Sequence, residues 1–165
     1  MARSKSVTAE EFARSLATDP GYQARMAAQA AATESLERSC ADDEAGLLEE
    51  LGAAGAPVTS VYDFVNAGGA PPAAIPTLLA HLRQQHHARI WEGIVRSLSV
   101  KHAHDAALLT LVELYRVEES RDRRWVLANA ISSMATFAEV AHLDRINEYR
   151  PLFRQSLKHR SRPSA

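Results

Sequence analysis

Two stretches of this chain carry apolar side chains at the same intervals. Ile75, Leu78, Leu79 and Leu82 fall at i, i+3, i+4 and i+7, and Leu108, Leu111, Val112 and Tyr115 repeat the spacing 33 residues later. Such spacing puts four side chains on one stripe of an α-helix, so each stretch must bury a face against another element. Thr77-Leu78-Leu79 returns as Thr110-Leu111-Val112, and Arg83 returns as Arg116. A second pair follows the first. Ile90, Trp91, Ile94, Val95 and Leu98 match Val126, Leu127, Ala130, Ile131 and Met134 at an offset of 36, the three extra residues lying in the loop around Glu118 to Asp122. Residues 73–135 thus read as two successive helical hairpins. A period of this length with two amphipathic helices per unit marks an α-solenoid. Ordinary hairpins of a helical bundle satisfy the helical spacing too, but the matched core positions and the recurring arginine favour a repeat.

The residues of the two hairpins resemble a known class. The Ile-Pro-x-Leu-Leu-x-x-Leu run from Ile75 to Leu82 resembles the first helix of a HEAT repeat. The Arg-Ile-Trp-Glu-Gly-Ile-Val-Arg-Ser-Leu run from Arg89 to Leu98 resembles the second, and Ala103 to Ala135 resembles another copy. No third clear copy follows. The resemblance implies an all-α fold of stacked helical hairpins and a scaffold or adaptor role, since HEAT-like proteins are mostly binders with few enzymes among them.

Local signals organise the rest. Thr8-x-x-Glu11 is a capping box, with Val7 and Phe12 at the staple positions. Asp19-Pro20 ends that helix and opens a second, which runs to about Ser39 with a thin seam of Tyr22, Met26, Ala30 and Leu36. A separate segment over 44–53 groups Leu47, Leu48 and Leu51 before the Gly55-Ala56-Pro57 stop. Ser60-x-x-Asp63 starts a short helix. Gly68-Gly69-Ala70-Pro71-Pro72 then separates an N-terminal helical cap, 8–67, from the repeat region, 73–157. Val140, Leu143, Ile146 and Tyr149 predict another helix, and Leu152, Phe153 and Leu157 a short terminal one. Residues 1–7 and the basic tail 158–165 are expected to be loose ends of one compact domain. No segment carries a strand signal.

Charge narrows the function classes. The net charge of −1 creates no overall pull towards nucleic acid. Residues 1–60 nevertheless hold ten acids and five bases, and residues 81–165 nine acids and fourteen bases. The basic half implies either an acidic partner or attraction between the halves. The single cysteine, Cys40, excludes an internal disulfide. With no signal peptide and no apolar run of membrane-spanning length, the expectation is a cytoplasmic protein without membrane contact.

No catalytic motif stands out. There is no P-loop, no Gly-x-Gly-x-x-Gly and no Gly-x-Ser-x-Gly elbow. His86-His87 and His102-x-His104 lack the spacing of a zinc site, so no metal and no cofactor are expected. Cys40 has no nucleophile signature around it. The surface that draws attention lies on the second helices. On a helical wheel Arg89, Glu92 and Arg96 fall opposite the apolar arc of the first hairpin, and Arg121, Trp125 and Ser132 occupy the same side of the next. The resemblance implies that this side lines the concave, partner-binding face. Arg89, Arg96, Arg121 and Trp125 are therefore the expected partner-binding residues, since tryptophan beside arginine is the composition of an interface hot spot; the alternative is that Trp125 packs on the expected helix near Val140 to Tyr149. The sequence predicts a non-enzymatic protein-binding module whose partner presents an acidic surface. A sharper form is a bacterial immunity or antitoxin-type protein. The alternative is nucleic-acid binding through a basic concave face, as in HEAT-like DNA glycosylases, against which Glu92, Glu118, Glu119 and Asp122 interrupt the bases.

Overall fold

The structure is a computed structural model describing residues 8–136 and Glu139. The expected helices over 140–157, both tails and the Val7 half of the staple lie outside those residues. Among the described residues every regular element is helical, with no strand.

The helix signals act as their chemistry dictates. Thr8 Oγ1 accepts from the Glu11 amide and the Glu11 carboxyl accepts from the Thr8 amide, which opens α1 (Ala9–Thr18). Asp19 Oδ1 accepts from the Gly21 and Tyr22 amides. It thereby caps α2 (Pro20–Ala53), a single helix of 34 residues. The expected break between Ser39 and Glu44 does not occur. Ser39 to Asp43 contains neither glycine nor proline, so nothing there costs the helix more than a few tenths of a kcal/mol per residue. The chain divides into two compact units, Met1–Asp42 and Asp43–Ala165, with the division inside α2. In the first unit α1 buries no residue, and Phe12, Met26 and Leu36 are exposed.

In the second unit Leu47 and Leu51 of α2 enter the core. Glu44 is buried and its Oε1 accepts from Ser60 Oγ and the Val61 amide. A carboxyl group thus sits at the N-terminus of α3 (Val61–Asn66), where the free amides and the positive helix end favour it. Gly93 lets α3 press on α5 (Ala88–Ser97): a Cβ there would lie 2.5 Å from Val61 Cγ1. Ser97 Oγ donates to Val61 O across the same contact.

The two hairpins follow, each entered by a 3-10 turn, Pro72–Ala74 and Lys101–Ala103. The first expected hairpin comprises α4 (Ile75–His81) and α5, although α5 packs chiefly on α3; the second pairs α6 (His104–Val117) with α7 (Arg121–Met134). Besides packing within the second hairpin, α4 lies against α6 and α5 against α7. All ten matched second-helix positions, from Ile90 to Leu98 and from Val126 to Met134, are buried. The first-helix stripes are narrower than expected. Ile75, Leu78, Leu82, Leu111, Val112 and Tyr115 are buried, while Leu79 and Leu108 are half-buried at the edge of their contacts. Helix α4 has seven residues and α6 fourteen; at the 33-residue offset α6 starts four residues earlier, where the first repeat has Pro71-Pro72-Ala73-Ala74, and ends three later.

The loop after α4 is fastened beneath by histidines. His86 Nδ1 donates to Asp43 of α2, and His86 Nε2 shares a hydrogen bond with His81 Nδ1 at 3.1 Å. His81 Nε2 lies 3.1 Å from Glu50 Oε2, at ion-pair distance but off the hydrogen-bond direction. The His86 and His81 side chains are both 5% exposed, so this chain of contacts ties α2 to the first hairpin from inside.

Candidate partner-binding site

Two exposed stripes meet on the α5 and α7 surface. Along α5 every residue from Ile90 to Ser97 is buried except Glu92 and Arg96, so after Ala88 the residues that reach outward are Arg89, Glu92 and Arg96. Along α7 the exposed positions are Arg121, Asp122, Trp125, Asn129 and Ser133, and four of these recur at i, i+4, i+8 and i+12 from Arg121. Each stripe is what remains after its helix has spent a wide arc on its neighbours. Ser132, expected on this outward side, is instead buried. Helix α7 packs on both α6 and α5, and the wider covered arc takes in Ala128 and Ser132, whose small side chains let the helices approach.

Trp125 is 47% exposed. It walls a pocket of about 300 Å³ whose apolar floor is Val65 of α3 with Val126 and Ala130 of α7. Arg96 enters from α5, and Ser99, Asn129 and Ser133 form the polar rim. The structure therefore brings Trp125 and Arg96 together. Glu92 Oε1 accepts from Arg96 Nε at 2.7 Å and lies 2.6 Å from Nη2, an i, i+4 pair that fixes the guanidinium plane.

Arg89 and Arg121 do not line this pocket. Arg89 lies over the Tyr62 ring at 5.7 Å, and the Tyr62 hydroxyl donates to Arg89 O. Burial first, and the Glu92 charge second, raise the Tyr62 pKa above its ordinary value. Arg121 opens α7, exposed, one turn before Trp125. Other arginines of this region are engaged at home. Arg123 stacks over Trp91 at 4.7 Å and approaches Glu118, and Arg124 stacks over Tyr115 at 5.0 Å.

Helical spacing alone finds Trp125 and Arg96. It misses Val65, which arrives from a different element, and it gives no reason to single out Asn129. Among the described residues no group of three or more His, Cys, Asp or Glu side chains is placed to hold a metal ion. No described helix is long and apolar enough to cross a membrane. No protein-family model matches the chain, and no curated protein or solved structure matches it.

Proposed function

We propose that this chain is a non-catalytic docking module of HEAT-like stacked hairpins, and that a partner protein bearing acidic groups binds the α5 and α7 face. The observation that carries the reading is an exposed tryptophan beside an apolar pocket, with a held arginine at its lip. Tryptophan and arginine are over-represented among the few interface residues that dominate affinity. The neighbour relations of the helices, first against first and second against second, support the stacked-hairpin part. The alternative, a grip on duplex nucleic acid, asks for cations free to meet phosphates. Arg123 and Arg124 instead lie over the Trp91 and Tyr115 rings.

The test uses a protein captured from the native host, purified and rebound by calorimetry. Trp125→Ala is expected to weaken binding by at least about thirtyfold, equivalent to about 2 kcal/mol, while the thermal midpoint stays put. Parallel loss of fold and binding removes the hot-spot reading. Binding of generic duplex DNA with a steep salt dependence, in place of a protein, establishes the alternative.

A further inference from the structure

We infer that the groove between α5 and α7 reads a short linear segment of its partner: an apolar side chain seated against Trp125 with a carboxylate beside it on Arg96. The inference rests on the docking reading and narrows it from a protein surface to a two-part recognition element.

Size comes first. A volume of about 300 Å³ is the bottom of the range for small-molecule sites, room for one or two side chains. The floor of Val65, Val126 and Ala130 offers an anchor no polar contact, so the anchor is aliphatic or aromatic. Charge comes next. Arg96 is the only charged side chain lining the groove, and no acid lines it. A cationic neighbour to the anchor would meet a guanidinium; a carboxylate complements it. Glu92 does not exhaust Arg96. Of the five guanidinium donors, the Nε hydrogen and one on Nη2 face Glu92 Oε1, and the others are left to a ligand. By holding the plane, Glu92 removes much of the rotamer entropy that a free arginine loses on binding.

The rim then distinguishes peptide from phosphate. Ser99 Oγ donates to Val95 O and Asn129 Nδ2 donates one hydrogen to Trp125 O, so both side chains keep oxygen acceptors for a ligand of the groove they line. A peptide main chain brings an N–H for such acceptors at nearly every residue. A phosphodiester brings none.

The experiment is selection of a displayed random peptide library on the full-length protein, with Trp125→Ala as counter-selection. Enriched sequences are expected to carry an aliphatic or aromatic residue with Asp or Glu within two positions. A synthetic peptide from that set should lose at least about tenfold in affinity to Arg96→Glu, and also to Arg96→Gln, which guards against misfolding of the charge reversal. Replacing its acid with Lys should recover binding to Arg96→Glu. Apolar anchors with neutral or basic neighbours overturn the inference but leave the docking reading standing. No enrichment overturns the linear element, while a captured folded partner still tests the docking reading. Binders indifferent to Trp125→Ala overturn both.

Discussion

Three glycines separate two kinds of cost. Gly68 has φ +89 and open space where a Cβ would go; Gly93 has helical backbone, but a Cβ 2.5 Å from Val61 Cγ1; Gly69 has both problems, with φ +131 and a Cβ 1.8 Å from Val100 Cγ1. Gly68→Ala is expected to lose about 1–3 kcal/mol through backbone strain, and Gly93→Ala about 1–3 kcal/mol through overpacking. Gly69→Ala should exceed either, and the order of urea midpoints checks this. Core and surface leucine and tryptophan should part in the same way. Leu111→Ala, with no exposure, is expected to cost about 2–5 kcal/mol, whereas Trp125→Ala should shift the urea midpoint little. At this scale the sequence spoke clearly wherever a residue acts on its near neighbours, as with Thr8, Asp19 and Ser60. It was silent on His86 and Asp43, which meet across 43 residues of chain with nothing local to announce the contact.

The start of α6 is pinned to the residues after α7. His104 Nε2 donates to the Glu139 carboxyl while His104 Nδ1 donates to Asp105, and Glu139 also accepts from the Thr136 amide and hydroxyl. The Asp105 hydrogen bond first, and the Glu139 bond second, raise the His104 pKa above 6.5. The Thr136 amide chiefly, then its hydroxyl and His104, hold Glu139 down from 4.5 to about 2. A raised histidine stabilises the fold fully below 6.5 and stops doing so as pH climbs through its folded value. A lowered glutamate stabilises it above 4.5 and stops as pH falls through about 2. Both contributions coincide between 4.5 and 6.5. The gap in thermal midpoint between the protein and His104→Gln should be widest in that window and shrink at alkaline pH; a gap that is flat with pH refutes the pin. Glu44→Ala leaves Ser60 Oγ and the Val61 amide without their acceptor, an expected loss of about 1.5–3 kcal/mol by urea denaturation. Element scale is also where the sequence misled. It read α2 as two helices because its apolar seam thins, although a helix needs no apolar seam to remain continuous where no glycine or proline interrupts it.

Across the whole molecule, every one of the ten second-helix positions that periodicity picked is buried, and Trp125 lies outside them. It could not supply the pocket, because Val65 reaches it from α3, 60 residues from Trp125 in the chain. Nor could it foresee that α7 is covered on two sides. The chain's two tryptophans occupy opposite environments: Trp91 is 4% exposed beneath the Arg123 guanidinium, and Trp125 is 47% exposed at the groove. The protein therefore carries two separable optical reporters. A water-soluble quencher should extinguish the red side of the emission first, and Trp125→Phe should leave a spectrum shifted to the blue and shielded from that quencher. Light from Trp91 then follows the integrity of the interior, while light from Trp125 follows whatever settles on the surface, in one cuvette and without a label.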